Sequence, residues 1–140
     1  QAWPMTDPAQ LPLLRQEVGR LRARESRRRF DAAVHVGQLG ATCGSCPVPV
    51  GDPVLDAGTR TEVVLRLLEA GGPTTGGGLS VWVTRPGEPV LQDCDLAWLS
   101  AACRAFAAVG CSLDGFWTVT RTGWLDVRTG EQRIWKRLRL

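Results

Sequence analysis

The chain has no tyrosine and no asparagine, and only one histidine, one lysine, one methionine and one isoleucine in 140 residues. Each shortage narrows what the protein can be. Without asparagine there is no Asn-Gly step, and the turn candidates of the C-terminal hairpins are Thr-Gly, a weaker choice for a tight turn. With His35 as the only imidazole, any His-dependent triad would have to use it, and no nucleophile motif accompanies it. No apolar run approaches the length of a membrane span, which argues against a membrane partner. The first residues have neither the basic start nor the apolar stretch of a secretory signal, so a reduced, cytoplasmic compartment is expected. Met5 reads as the native start and residues 1–4 as an expression leftover, leaving 5–140 as a single domain.

Arginine takes the place of the scarce lysine, at 16 to 1. This bias resembles the codon usage of a GC-rich genome, so only part of the excess counts as a binding signal. Net charge is only +3, but it is unevenly spread. Residues 11–30 carry +5 and residues 115–140 carry +4, so the stretches outside them carry −6. Two basic ends flank an acidic middle, and that pattern calls for an acidic partner.

Hydrophobic spacing outlines the elements. Leu11, Leu14, Val18 and Leu21 predict a basic amphipathic helix over 10–29, with Pro12 tolerated in its first turn. The same stripe resembles a coiled-coil seam and offers a route to a homo-oligomer. A strand is expected at 30–36, a loop at 37–53 with a short edge strand at Val48 and Val50, and a helix opening on Thr59-Arg-Thr-Glu62. A glycine-rich connection follows at 71–78. Leu79–Thr84 reads as a strand, Arg85–Glu88 as a turn, and Pro89–Gln92 as a returning strand. Leu96, Trp98, Leu99, Ala102, Cys103 and Phe106 make 95–109 a central buried helix, with Asp93 or Asp95 as its cap and Gly110 as its stop. The fold class is α+β: a mainly antiparallel sheet with a C-terminal three-stranded meander packed on that helix.

The meander carries the strongest signal. Two-residue loops at Thr122-Gly123 and Thr129-Gly130 would pair Asp126 with Arg133, Leu125 with Ile134, Trp124 with Trp135 and Arg121 with Trp124. One face then gathers Phe116, Thr118, Thr120, Leu125, Val127, Ile134 and Leu138. The other gathers Trp117, Val119, Arg121, Trp124, Arg128, Arg133, Trp135 and Arg137. Indoles that stack on bases, beside guanidiniums that meet phosphates, make this second face a candidate nucleic-acid surface. Arg139 and the helix-end residues Arg24, Arg27 and Arg28 would add phosphate contacts. Arg128 and Arg133 have Glu131 and Asp126 opposite, so Arg121, Arg137 and Arg139 are the better placed to reach a partner. The competing reading is that Trp117 and Trp135 pack beneath another element and the arginines pair within the sheet.

The leading expectation is therefore a non-enzymatic binding module for an acidic partner, foremost nucleic acid. The alternatives are a self-associating or protein-interaction subunit that meets an acidic protein surface, and a zinc- or thiol-dependent enzyme. For the last, Cys43-Gly-Ser-Cys46 supplies half a zinc motif that Cys94, Cys111 or His35 would have to complete. Neither the carboxylates nor the glycine run form a catalytic or Walker-type motif, and no catalytic residue or cofactor other than this zinc is expected.

Overall fold

Leu14, Val18 and Leu21 lie on one side of helix α1 (Leu11–Arg24), and all three are buried. A single 3-10 turn at Pro8–Gln10, capped by the Asp7 carboxylate on Ala9 N, leads into α1. The computed structural model describes residues 5–41, 43–48, 55–71 and 78–136. The remaining elements are β1 (Ala32–Gly37), β2 (Cys43–Val48), α2 (Ala57–Ala70), β3 (Leu79–Thr84), α3 (Asp93–Val109), β4 (Leu113–Val119), β5 (Gly123–Asp126) and β6 (Gln132–Ile134). They form one α+β domain around a six-stranded sheet ordered β2-β1-β3-β4-β5-β6. Every neighbouring pair is antiparallel except β3 with β4.

Strand alternation sends side chains to two separate cores. On one face Val34, Val36, Val81, Val83, Phe116 and Leu125 pack with Val64 and Leu68 of α2 and Trp98, Ala102 and Phe106 of α3. On the other, Trp82, Trp117, Val119 and Trp124 pack with Leu14, Val18 and Leu21 of α1. The α1 stripe is thus consumed inside its own domain. Only Leu11, 38% exposed, remains outward, so the coiled-coil reading of that stripe does not hold.

Several boundaries differ from expectation, each for a local reason. The α1 helix ends at Arg24, and residues 25–31 continue without regular structure. The Asp56 carboxylate accepts from Thr59 N and starts α2 at Ala57, ahead of the Thr59–Glu62 box. The expected loop after Gly37 already holds strand β2 from Cys43, an edge position where Pro47 has no second neighbour to serve. Residues 89–92 form no strand, because the loop wraps around the Arg85 side chain instead of pairing with β3. That leaves the β3 edge to β4, which arrives by a parallel crossover through α3.

The meander keeps its predicted faces but not its register. Pairing runs Trp117 to Asp126, Thr118 to Leu125, Val119 to Trp124, and then Trp124 to Arg133 and Leu125 to Gln132. Both hairpins are displaced by two residues, and a shift of two leaves every side chain on its face. The first turn closes by Thr120 N donating to Gly123 O, which places Arg121-Thr122 at its tip. The second is a four-residue loop, Val127–Gly130, in which Asp126 accepts from the Arg128 and Thr129 N–H groups. Asp126 is therefore a turn cap and not the partner of Arg133.

Candidate functional site

The two basic ends of the chain meet. Arg22 from the last turn of α1 and Arg28 and Phe30 from the following segment line one open pocket of about 490 Å³. Arg121 and Thr122 from the β4–β5 turn and Lys136 beyond β6 complete it, together with Pro86, Gly87 and Glu88 of the β3–α3 loop. Among the described residues four cationic side chains thus face a single carboxylate. Such a concave, predominantly positive site concentrates anions. Arg121 Nε is buried and has no hydrogen-bond partner among the described residues. The Thr122 hydroxyl donates to Glu88 Oε2 at 3.1 Å and ties the turn to the loop.

A buried ion pair builds one wall of this pocket. Arg85 is 1% exposed and Asp95 0%. Arg85 Nε donates to Asp95 Oδ1 and Nη2 to Oδ2, both at 2.9 Å. The remaining donors go to the carbonyls of Pro86, Glu88 and Val90. All five N–H bonds of the guanidinium are thereby used. Asp95 also accepts from the Thr118 hydroxyl at 2.8 Å and from Gln92 N at 2.9 Å, where α3 begins. A pair this completely satisfied offers nothing to a ligand. Its role is to hold the 86–90 loop to the start of α3 and to β4, and hence to position Pro86, Gly87 and Glu88 at the pocket.

The expected site residues do not stay together. Arg28 and Arg121 line the pocket. Arg27 is exposed on the same segment as Arg28, and Arg24 borders a different cavity beside His35. Trp117 (1% exposed) and Trp124 (3%) lie beneath α1, so they are removed from any stacking role. The reason is the α1 stripe, which needed an apolar surface and found it on the indole face. Trp135 remains half-buried at the margin, with the Arg15 guanidinium 5.8 Å and the Arg133 guanidinium 5.5 Å from its ring. Arg128 donates to the carbonyls of Leu113 and Asp114 and borders a cavity with Trp117. Arg137 and Arg139 lie outside the described residues, as do residues 1–4, Val50, Asp52, Leu138 and most of the glycine run.

Sequence reasoning missed the Arg85–Asp95 pair and the contributions of Phe30, Glu88 and Lys136. An arginine at a strand end, before a Pro-Gly turn and ten residues ahead of a helix-start aspartate, was the available signal for the pair.

Cys43 and Cys46 do not converge on one site. Cys43 packs on the α1 side of β2 and Cys46 on the α2/α3 side, so the two thiols point to opposite faces. Among the described residues no group of three or more His, Cys, Asp or Glu side chains could hold a metal ion. His35 is committed elsewhere: Nδ1 lies 2.6 Å from Ser45 Oγ, Nε2 lies 2.9 Å from Thr84 Oγ1, and the ring stacks on Trp82. Burial, helped by nearby Arg24, lowers its pKa from 6.5 to about 4. The folded protein therefore holds His35 neutral while the unfolded chain takes up a proton below pH 6.5. Stability should fall as pH drops from 6.5 towards 4, by up to about 3 kcal/mol. Denaturation at stepped pH checks this, and His35→Gln should flatten the upper part of that window, above the range where carboxylates titrate.

Among the described residues no helix is long and apolar enough to cross a membrane. No family model, curated protein or solved structure matches the chain, so its own residues carry the functional reading.

Proposed function

We propose that the protein is a non-enzymatic, cytoplasmic binding module for nucleic acid, engaging the phosphate backbone at the pocket of Arg22, Arg28, Arg121 and Lys136. One observation carries this reading. The two basic segments, remote in sequence, converge on one concavity with a single opposing carboxylate among the described residues. Arg27 and Arg29, next to Arg28 in the chain, and Arg133 on β6 are exposed and add positive charge that a polyanion can meet. With Trp117 and Trp124 buried, affinity is mainly electrostatic, and base stacking is restricted to residues at the pocket and its margin, such as Phe30 and Trp135.

The test is a titration of single-stranded oligonucleotide at several salt concentrations. Affinity should fall steeply with salt. Arg121→Ala with Lys136→Ala should weaken binding at every concentration and flatten the salt slope by roughly 0.7 for each phosphate no longer neutralised. Absence of binding at low salt, for single and double strands alike, would remove the proposal. An acidic protein surface is the alternative partner that the same charge would suit, and the oligonucleotide titration separates the two.

A further inference from the structure

We infer that the pocket receives a terminal phosphomonoester of a single strand, with the end base against Phe30. This rests on the nucleic-acid reading and makes it more specific. A strand gripped along its length needs a groove that the backbone can follow. Here the cations come from the end of α1, the segment after it, the β4–β5 turn and the stretch following β6, and they surround a hollow. An open hollow of this shape admits the end of a strand more readily than its middle. At about 490 Å³ it falls within the roughly 300–1,000 Å³ typical of small-ligand sites.

The lining matches the parts of a terminal nucleotide. A phosphomonoester carries about −1.5 to −2 charge, against one for an internal phosphodiester, and so gains more from several converging cations. Arg121 lines the hollow from the β4–β5 turn and adds its guanidinium charge there. Phe30 and the Pro86-Gly87 turn supply the uncharged walls, and Phe30 is half-buried, which fixes its ring without covering it. Gly87 adopts φ 93°, a left-handed conformation that side chains resist, and a Cβ there would meet Arg85 Nη1 at 3.4 Å. Glu88, oriented by Thr122, would repel a phosphate placed beside it and accept hydrogen bonds from a sugar hydroxyl or a base amine. The carboxylate thus sets which part of the nucleotide goes where.

The experiment compares one short single strand synthesised with a 5′-phosphate, with a 3′-phosphate, or with hydroxyls at both ends, using fluorescence anisotropy at fixed salt. One phosphorylated end should bind about tenfold or more tightly than the hydroxyl ends. The preferred end identifies which terminus is read. Arg121→Ala, and separately the exposed Arg28→Ala, should each reduce that preference to about twofold or less, the resolution of such a comparison. Equal affinity for all three strands overturns the end-binding inference and leaves nucleic-acid binding standing. A preference that survives in both variants overturns the assignment to this pocket. No binding to any strand overturns both readings.

Discussion

Asp95→Ala should destabilise the domain by about 3–5 kcal/mol, a large part of the roughly 5–15 kcal/mol that holds a domain together. The substitution leaves the Arg85 guanidinium buried with its charge unpaired, and frees the Thr118 hydroxyl and Gln92 N–H as well. The loss comes from stranding these groups, more than from the attraction between the two ions. A buried pair and an apolar pair of similar volume are often nearly equal in stability. Arg85→Met combined with Asp95→Leu should therefore recover a substantial part of what Asp95→Ala loses. It should not recover the loop geometry, because the carbonyls of Pro86, Glu88 and Val90 would be without their common donor. Urea midpoints report the first effect and oligonucleotide affinity the second. A loss below about 1 kcal/mol for Asp95→Ala would contradict the role given to the pair.

Trp117→Ala should cost about 3–5 kcal/mol, the range for emptying a large aromatic site in a packed core. The indole packs under Leu14, Val18 and Leu21 and donates from Nε1 to the Thr6 hydroxyl at 3.4 Å, while Thr6 donates to Asp126 at 2.6 Å. It also lies over Gly115, where a Cβ would meet its ring at 2.1 Å, so Gly115→Ala should push the indole off its seat. Trp135→Ala makes the contrast. That ring is half-buried beside Arg15 and Arg133, and its removal should cost only about 1 kcal/mol. Thermal or urea unfolding of both variants decides between a covered and an open indole face. Similar small losses for the two would restore the stacking platform.

The face assignment of the meander was legible because period-two alternation survives any even displacement. Phe116 and Leu125 went to one core, and Trp117, Val119 and Trp124 to the other. The register was not legible, because it depends on which residues form the turn. Asp126 binds the N–H groups of Arg128 and Thr129 and fixes a four-residue loop that Thr-Gly spacing does not announce. The helix stripe Leu14, Val18, Leu21 was visible as apolar, but a stripe does not name the surface it covers. That one ambiguity explains why Trp117 and Trp124 read as a binding face. Convergence of the basic ends was also hidden: the charge of residues 11–30 and of 115–140 is in the sequence, whereas their meeting depends on α1 lying across β4 and β5. Arg85 escaped notice because a buried arginine looks like an ordinary turn residue until its five acceptors are assembled around it.

The most direct test is a backbone NMR titration of the isotope-labelled protein with single-stranded oligonucleotide. Binding at the convergence of the two basic ends predicts the largest shift changes at Arg22, Arg28, Gly87, Arg121, Thr122 and Lys136, with Cys43–Val48 and the exposed face of α3 unmoved. Changes centred on β2 or α3, or no changes at saturating oligonucleotide, would contradict it.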